Sequence, residues 1–115
     1  MLYTLVVLSS HLNNNHNAIA LAKDLISNKQ QIAAVFFLFD AAYTANSFID
    51  MPTDEPNISK QWSDFAHHHQ VKLVVCSASA ARRGICTTNL APGFNLGSIG
   101  ELVASCDAAD HVVSL

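Results

Sequence analysis

The sequence predicts an α/β fold of three layers, α/β/α, around a mainly parallel sheet of the flavodoxin or Rossmann kind. Three observations carry this. Short apolar runs rich in β-branched and aromatic residues recur at Leu2–Leu8, Ile32–Phe39 and Val71–Val75. Each is nearly continuous in hydrophobicity, as parallel strands covered on both faces are. The segments between them carry apolar residues at helical spacing, and this alternation of strand and helix builds a parallel sheet with helices on both sides. A chain of 115 residues fits one domain, residues 1–115.

The elements follow in order. Leu2–Leu8 is a strand closed by Ser9-Ser10. Ser9–Asn17 is polar and Asn-rich, hence a loop. Ala18, Leu21, Ala22, Leu25 and Ile26 then mark a helix to about Lys29, with Asn15 or Asn17 as its cap. Gln30-Gln31 is a short turn, Ile32–Phe39 is the second strand, and the β-α-β crossover between the two is right-handed. Asp40–Asn57 is the least regular stretch, a loop with turn signals at Met51-Pro52 and Glu55-Pro56 and a helical turn around Tyr43–Phe48. Loops this long in small domains are usually functional or form an interface. Ile58–His69 is helical, with Ile58, Trp62, Phe65 and Ala66 on one face and Asn57 or Ser59 as the start signal. Val71–Val75 is the third strand and ends on Cys76. Cys86–Asn95 is a loop whose clearest turn is Pro92-Gly93. Leu96–Cys106 reads as a helix with Leu96, Ile99, Leu102, Val103 and Cys106 in register and Gly97 and Gly100 as close-packing positions. His111–Leu115 is a last strand.

Composition narrows the function. Half the residues are hydrophobic and only 13% are charged, enough for a real core and suggestive of apolar surface covered by a partner. A net charge of −3 with six Lys plus Arg argues against direct nucleic-acid binding, which needs a basic stripe. No apolar run approaches the roughly 18 residues that span a bilayer. Met1–Ser10 lacks a basic lead and a cleavage site, so the expectation is a cytoplasmic protein with no membrane contact. Three cysteines, Cys76, Cys86 and Cys106, form no C-x-x-C pair and no zinc spacing. Reduced thiols are the expectation in that compartment.

Cys76 is the focus of the chemistry. It closes a buried strand at the sheet's carboxyl rim, where open α/β sheets bind ligands. A helical turn begun by Ser77–Ala81 would aim free N–H groups at the sulfur, and Arg82-Arg83-Gly84 would add positive potential. Each influence favours thiolate, the nucleophilic form. The plain alternative is a small buried hydrophobe. Arg82 and Arg83 have two readings: thiolate or partner contacts, or a solvated helix end. His67-His68-His69 project about 100° apart on a helix and cannot share one metal ion from that element. His11 and His16 could approach Cys76 as a base or anion partner, and Cys86 could resolve a disulfide with it. Tyr43 and Asn46 read as packing and turn residues, and Cys106 as core.

Three stretches together resemble the DsrE/TusD group of sulfur-relay proteins. V-F-F-L-F-D-A-A-Y-T-A-N at Val35–Asn46 is similar to that group's second strand and Tyr-x-x-Asn segment. L-V-V-C-S-A-S-A-A-R-R-G-I at Leu73–Ile85 is similar to its active-cysteine segment. G-F-N-L-G-S-I-G-E-L-V at Gly93–Val103 is similar to its Gly-Phe-x-[Leu/Ile]-x-Gly-[Leu/Ile]-Gly-x-Leu element. The resemblance implies a DsrEFH-like fold and a sulfurtransferase, TusD-like within the group, in which Cys76 accepts sulfane sulfur as a persulfide and Arg82, Arg83 and Gly84 match the adjoining motif. It implies no metal or organic cofactor. The implied partners are an upstream persulfide donor protein, TusB/TusC-like or DsrF/DsrH-like subunits in a hetero-hexamer, and a TusE/DsrC-like carrier. The implied pathway is tRNA 2-thiouridine synthesis or, for DsrE-type relatives, sulfur oxidation. Two loops depart from the pattern: Ile85–Pro92 is short, and Ser9–His16 is Asn- and His-rich. Outside this resemblance, a non-catalytic assembly subunit and a nucleotide- or flavin-binding domain are the rivals, and the lack of a Gly-rich phosphate cradle after the first strand counts against the latter.

Overall fold

The computed structural model describes residues 1–49 and 53–115, so the Met51-Pro52 turn signal lies outside the described residues. Strands β1 (Leu2–Val7), β2 (Gln31–Phe37), β3 (Leu73–Cys76), β4 (Phe94–Gly97) and β5 (His111–Ser114) form one sheet in the order β4-β3-β2-β1-β5. Every neighbouring pair is parallel. Helices α1 (Leu12–Ser27), α2 (Ile58–His69), α3 (Ser77–Ala81) and α4 (Ile99–Ala108) connect them, with a 3-10 helix at Phe39–Ala45. This is the α/β architecture with a parallel sheet that the alternation predicts.

Handedness sorts the helices. From β1 to β4 the chain steps three times in one direction across the sheet, and right-handed crossovers keep their connections on one face. The return from β4 to β5 runs the opposite way, so α4 covers the other face. The core agrees. Leu5, Val7, Val35, Phe37, Leu73, Val75 and Phe94 pack with Ala18, Ile19 and Ala22 of α1 and Trp62 and Phe65 of α2. On the opposite face Ala34, Phe36 and Val74 form a smaller cluster with Leu102 of α4 packed against it. One face is thick and the other thin.

The α2 boundaries hold as read, with the Asn57 Oδ1 accepting the Lys60 N–H at 3.1 Å. Three other elements differ from the sequence reading. Helix α1 starts at Leu12, so the Asn-rich stretch is mostly helical, and His11 occupies the cap position without a side-chain cap bond. Neither Asn15 nor Asn17 caps it. Asn15 is fully buried. Its Nδ2 donates to the Ser9 and His11 carbonyls at 3.0 and 2.9 Å, and its Oδ1 accepts the Trp62 Nε1–H at 2.9 Å. Asn favours turns locally, and this long-range bond to a buried indole overrides that preference.

Phe94–Gly97 is a strand rather than the end of a loop and the start of a helix, and α4 begins only at Ile99, behind Ser98, whose Oγ accepts the Glu101 N–H at 3.2 Å. Gly97 is small because a Cβ there would overlap Val74 Cγ1. Gly97 is thus a close-packing position, as read, but on a strand. The apolar positions of α4 are not core: no residue of the helix is fully buried, Ile99 and Val103 are more than half exposed, and Cys106 is half-buried. Finally, β2 stops at Phe37. Phe39 has φ +54°, and the chain turns there into the 3-10 helix, earlier than the Tyr43–Phe48 turn read from sequence.

Candidate functional site

Cys76 is the last residue of β3 and the N-cap position of α3. Ser77 secures the strand-to-helix turn: its Oγ donates to the Gly97 carbonyl at 3.0 Å, on the strand beside Cys76. The residue is 7% exposed. Burial pushes its thiol pKa up. The backbone N–H and hydroxyl of Ser79, the N–H of Ala78 and the charge of Arg82 push it down, and together they win, leaving it below the usual thiol value. Strand end, helix start and cation thus act on the sulfur as the local pattern predicts.

The arginines divide. Arg82 is exposed and contributes its charge to Cys76. Arg83 is tied into the scaffold. Its Nη2 and Nε donate to Asp40 Oδ1 at 2.8 and 3.1 Å, its Nη1 donates to the Ser79 carbonyl at 3.0 Å, and its guanidinium lies 5.7 Å from the Tyr43 ring centroid. Gly84 has φ +72°, a left-handed turn that glycine adopts without steric cost. It ends the α3 segment and presents its carbonyl to Asn89 Nδ2 at 3.1 Å.

Two stretches that follow strand ends, Asp40–Asn46 and Cys76–Gly84, therefore meet. The 3-10 helix and α3 are joined by Arg83–Asp40 and by a 2.9 Å bond from the Phe39 N–H to Ser79 Oγ. The short Ile85–Pro92 loop is stitched to the same helix: Ser47 N–H donates to the Asn89 carbonyl at 2.8 Å, Ala91 N–H to the Ala45 carbonyl at 2.7 Å, and Asn89 Nδ2 to Asn46 Oδ1 at 3.2 Å. Asn46 is thus the turn residue it was read as, and Tyr43 packs on Arg83. The Ser9–Asn17 stretch borders a cleft beside Tyr43 and Thr44 through Ser10 and Leu12, but it brings neither of its histidines to Cys76. His11 and His16 are exposed, at the start of α1 and within it, and among the described residues no hydrogen bond or ion pair links either to Cys76.

Sequence reasoning missed two features. Ser79, 3% exposed, is indistinguishable in the sequence from its alanine neighbours, and only the fold reveals its partners. Cys86 is an exposed thiol whose pKa is also lowered, by the backbone N–H and hydroxyl of Thr88, which outweigh burial, and by the Asn89 N–H. The Thr87–Asn89 turn that lowers it has no residue-level signature beyond the asparagine. Of the histidine run, His68 and His69 stack edge to face at 4.6 Å and His69 packs on Phe65. Among the described residues no three metal-ligating side chains converge. The cleft between α2, the 3-10 helix and the Ala91–Gly93 turn, lined by Tyr43, Thr44, Ser63, Ala66 and Pro92 among others, does not include Cys76.

A sequence profile described as the DsrE/DsrF-like family matches residues 1–115. The chain belongs to the DsrE/DsrF-like family. Among its relatives, Sulfurtransferase TusD homolog of Haemophilus influenzae is 34% identical over 103 residues, 82% of each chain. Sulfurtransferase TusD of Sodalis glossinidius is 32% identical over 108 residues, 84% of this chain and 83% of the relative. Two solved structures share the DsrE-like fold. The ychN protein from E. coli has a TM-score of 0.80 at 22% identity, covering 98% of this chain and 97% of its own. MTH1491 from Methanobacterium thermoautotrophicum, a protein of unknown function, has a TM-score of 0.72 at 9% identity, covering 99% and 98%. No helix among the described residues of this DsrE-family chain is long and apolar enough to cross a membrane.

Proposed function

We propose that this chain is a sulfur-relay subunit that takes sulfane sulfur onto Cys76 as a persulfide and hands it to a carrier protein. The observation that carries the reading is the environment of the Cys76 sulfur: two backbone N–H groups, one hydroxyl and the Arg82 charge act on a thiol closing a strand, in a chain whose relatives at 32–34% identity are named sulfurtransferases. The chemistry balances without an external oxidant. The Cys76 thiolate attacks the outer sulfur of a donor persulfide, R–S–SH. The S–S bond breaks, R–S⁻ leaves, and Cys76–S–SH forms with the proton still on the outer sulfur. The carrier thiolate then attacks that outer sulfur and Cys76 departs as thiolate. Rates follow thiolate fraction, leaving-group pKa and access.

In this reading the chain works in the cytoplasm and the sulfur flows toward tRNA 2-thiouridine. The donor is an upstream persulfide protein and the acceptor a TusE/DsrC-like carrier. TusB/TusC-like or DsrF/DsrH-like subunits complete a hetero-hexamer. The exposed Ile99 and Val103 on α4, and Phe39, Tyr43 and Phe48 at the carboxyl rim, support such protein contacts, since contiguous exposed apolar surface marks interaction sites. The test is persulfide labelling after incubation with a persulfide donor. Wild type, Cys86→Ser and Cys106→Ser should label and Cys76→Ser should not; a label retained by Cys76→Ser refutes the reading. One observation favours a second reading, a scaffold subunit: Cys76 is only 7% exposed. Failure of a protein-sized donor to load Cys76, when a small persulfide loads it, would favour that scaffold.

A further inference from the structure

We propose that the Phe39 ring is the docking anchor for the protein segment that brings a thiol to Cys76, and that Arg82 selects an acidic residue in that segment. The proposal rests on Cys76 being the sulfur-transfer residue and names the chemistry of its partner: an extended segment with an apolar side chain and a carboxylate beside its cysteine. The sheet places Phe39 for this. Strands β2 and β3 are parallel neighbours, and Phe37 pairs with Val75, the residue before Cys76. Phe39 therefore leaves the sheet two residues past that pairing, beside the strand end that carries the cysteine. Neighbouring strands lie about 5 Å apart. The Phe39 N–H donates to Ser79 Oγ at 2.9 Å, which pins it to the short helix whose cap position is Cys76.

Neither packing nor backbone preference accounts for a phenylalanine here. Its φ is +54°, a conformation uncommon for a bulky residue, which glycine adopts without steric cost and asparagine more readily than most. Its ring is 59% exposed, so the core gains little from it. Strained backbone of this kind clusters at functional sites, and aromatic side chains are the commonest anchors of protein interfaces. The ground beneath the ring is firm. Ser79 is 3% exposed, and the next residue, Asp40, accepts two hydrogen bonds from Arg83. The charges sort in the same way. Arg83 is matched by Asp40 at 2.8 Å. Arg82 is exposed, enters no ion pair among the described residues, and its charge reaches Cys76. An unmatched cation beside an apolar ring is complementary to an acidic, apolar visitor. Cys76 itself is 7% exposed, so contacts around it must guide a visiting thiol in.

The test uses a Cys86→Ser/Cys106→Ser background whose Cys76 is loaded by a small persulfide. Transfer is then measured to two synthetic peptides, Asp-Leu-Cys-Leu and Gly-Gly-Cys-Gly, with rates expressed per thiolate. In each case the peptide thiolate attacks the outer sulfur of Cys76–S–SH. The S–S bond breaks, Cys76 leaves as thiolate, and the peptide persulfide forms with the proton still on its outer sulfur. The background chain should favour the acidic, apolar peptide by about ten-fold in kcat/KM, the scale of one buried anchor. Phe39→Gly and Phe39→Asn, both suited to the left-handed backbone, should bring the two peptides level, with the loss in KM rather than kcat. Arg82→Glu should turn the preference toward Lys-Leu-Cys-Leu. Phe39→Gly relieves the strained φ, so its Tm should equal or exceed that of the background. Equal rates for the two peptides in the background chain overturn the proposal, as does a preference that survives both Phe39 variants. Failure of both variants to fold also overturns it, since the ring would then be structural. Loading separates this idea from the one it rests on: a Cys76 that loads and transfers without preference removes Phe39 alone, whereas a Cys76 that never loads removes both.

Discussion

Two thiols in this chain have lowered pKa values, and they differ in exposure. Cys76 is buried with its donors; Cys86 is exposed. A simple alkylation assay therefore reads Cys86 first, so mapping of modified peptides should show fast labelling of Cys86 and slower, pH-dependent labelling of Cys76. Thiolate falls away as pH drops through the native pKa, so the Cys76 rate should be half-maximal at a lower pH than that of an unperturbed cysteine. The same shift carries a stability consequence with a definite sign. The fold favours the Cys76 thiolate, so its contribution is fully present above the unfolded pKa and is lost as pH falls through the lower native one. The Tm gap between wild type and Cys76→Ser should widen from neutral to alkaline pH; a constant gap would remove the shift. Arg82 and Arg83, adjacent in sequence, should separate as variants. Arg82→Ala should raise the Cys76 alkylation midpoint by a few tenths of a pH unit, the charge being exposed and screened. Arg83→Ala should act mainly on Tm, because it loses two hydrogen bonds that join α3 to Asp40 and one to the Ser79 carbonyl.

Among the elements, α1 and β4 show where local rules give way. The Asn15–Trp62 bond spans 47 residues and ties α1 to α2 inside the core. Asn15→Leu leaves the Trp62 N–H buried without a partner, which should cost about 1–3 kcal/mol; chemical denaturation would show a lower midpoint with an unchanged slope. Local sequence at Asn13–Asn15 argues for a turn, and nothing within that window signals an indole across the core. At β4, a four-residue edge strand ending in glycine is too short for a period to show. Gly97→Ala drives a methyl into Val74 and should destabilise by about 1–3 kcal/mol, the usual cost of overpacking; Gly100→Ala, where only Ser98 Oγ is near, should be tolerated. In contrast, α2 was legible to its ends, because Asn57 caps it and Trp62, Phe65 and Ala66 repeat on one face.

The whole molecule is asymmetric about its sheet. Three same-direction crossovers bury one face under α1 and α2, and the single return leaves α4 alone on the other, with Ile99 and Val103 exposed. A lone helix with apolar outer positions is a ready interface. Ile99→Lys/Val103→Lys should therefore lower the assembled mass in analytical ultracentrifugation, alone or with partner subunits, while leaving monomer secondary structure intact by circular dichroism. The topology also locates Cys76 at the carboxyl rim but away from the switch point. Strand order reverses between β1 and β5, where open sheets form their ligand crevice; the cysteine stands two strands away, at β3. Under the proposed relay, a visiting protein thiol needs a rim, not a crevice.

Alternation of apolar runs with helical periods was enough to specify a parallel α/β sheet and to set Cys76 at a strand end beside Arg82-Arg83-Gly84, because those are features of neighbouring residues and of chain order. The partner of Asn15, the strand identity of Phe94–Gly97, the split of labour between the two arginines and the bond from Phe39 to Ser79 were not legible. Each joins residues 20 or more positions apart, or depends on which helix a crossover leaves uncovered, and such contacts exist only once the chain has closed on itself.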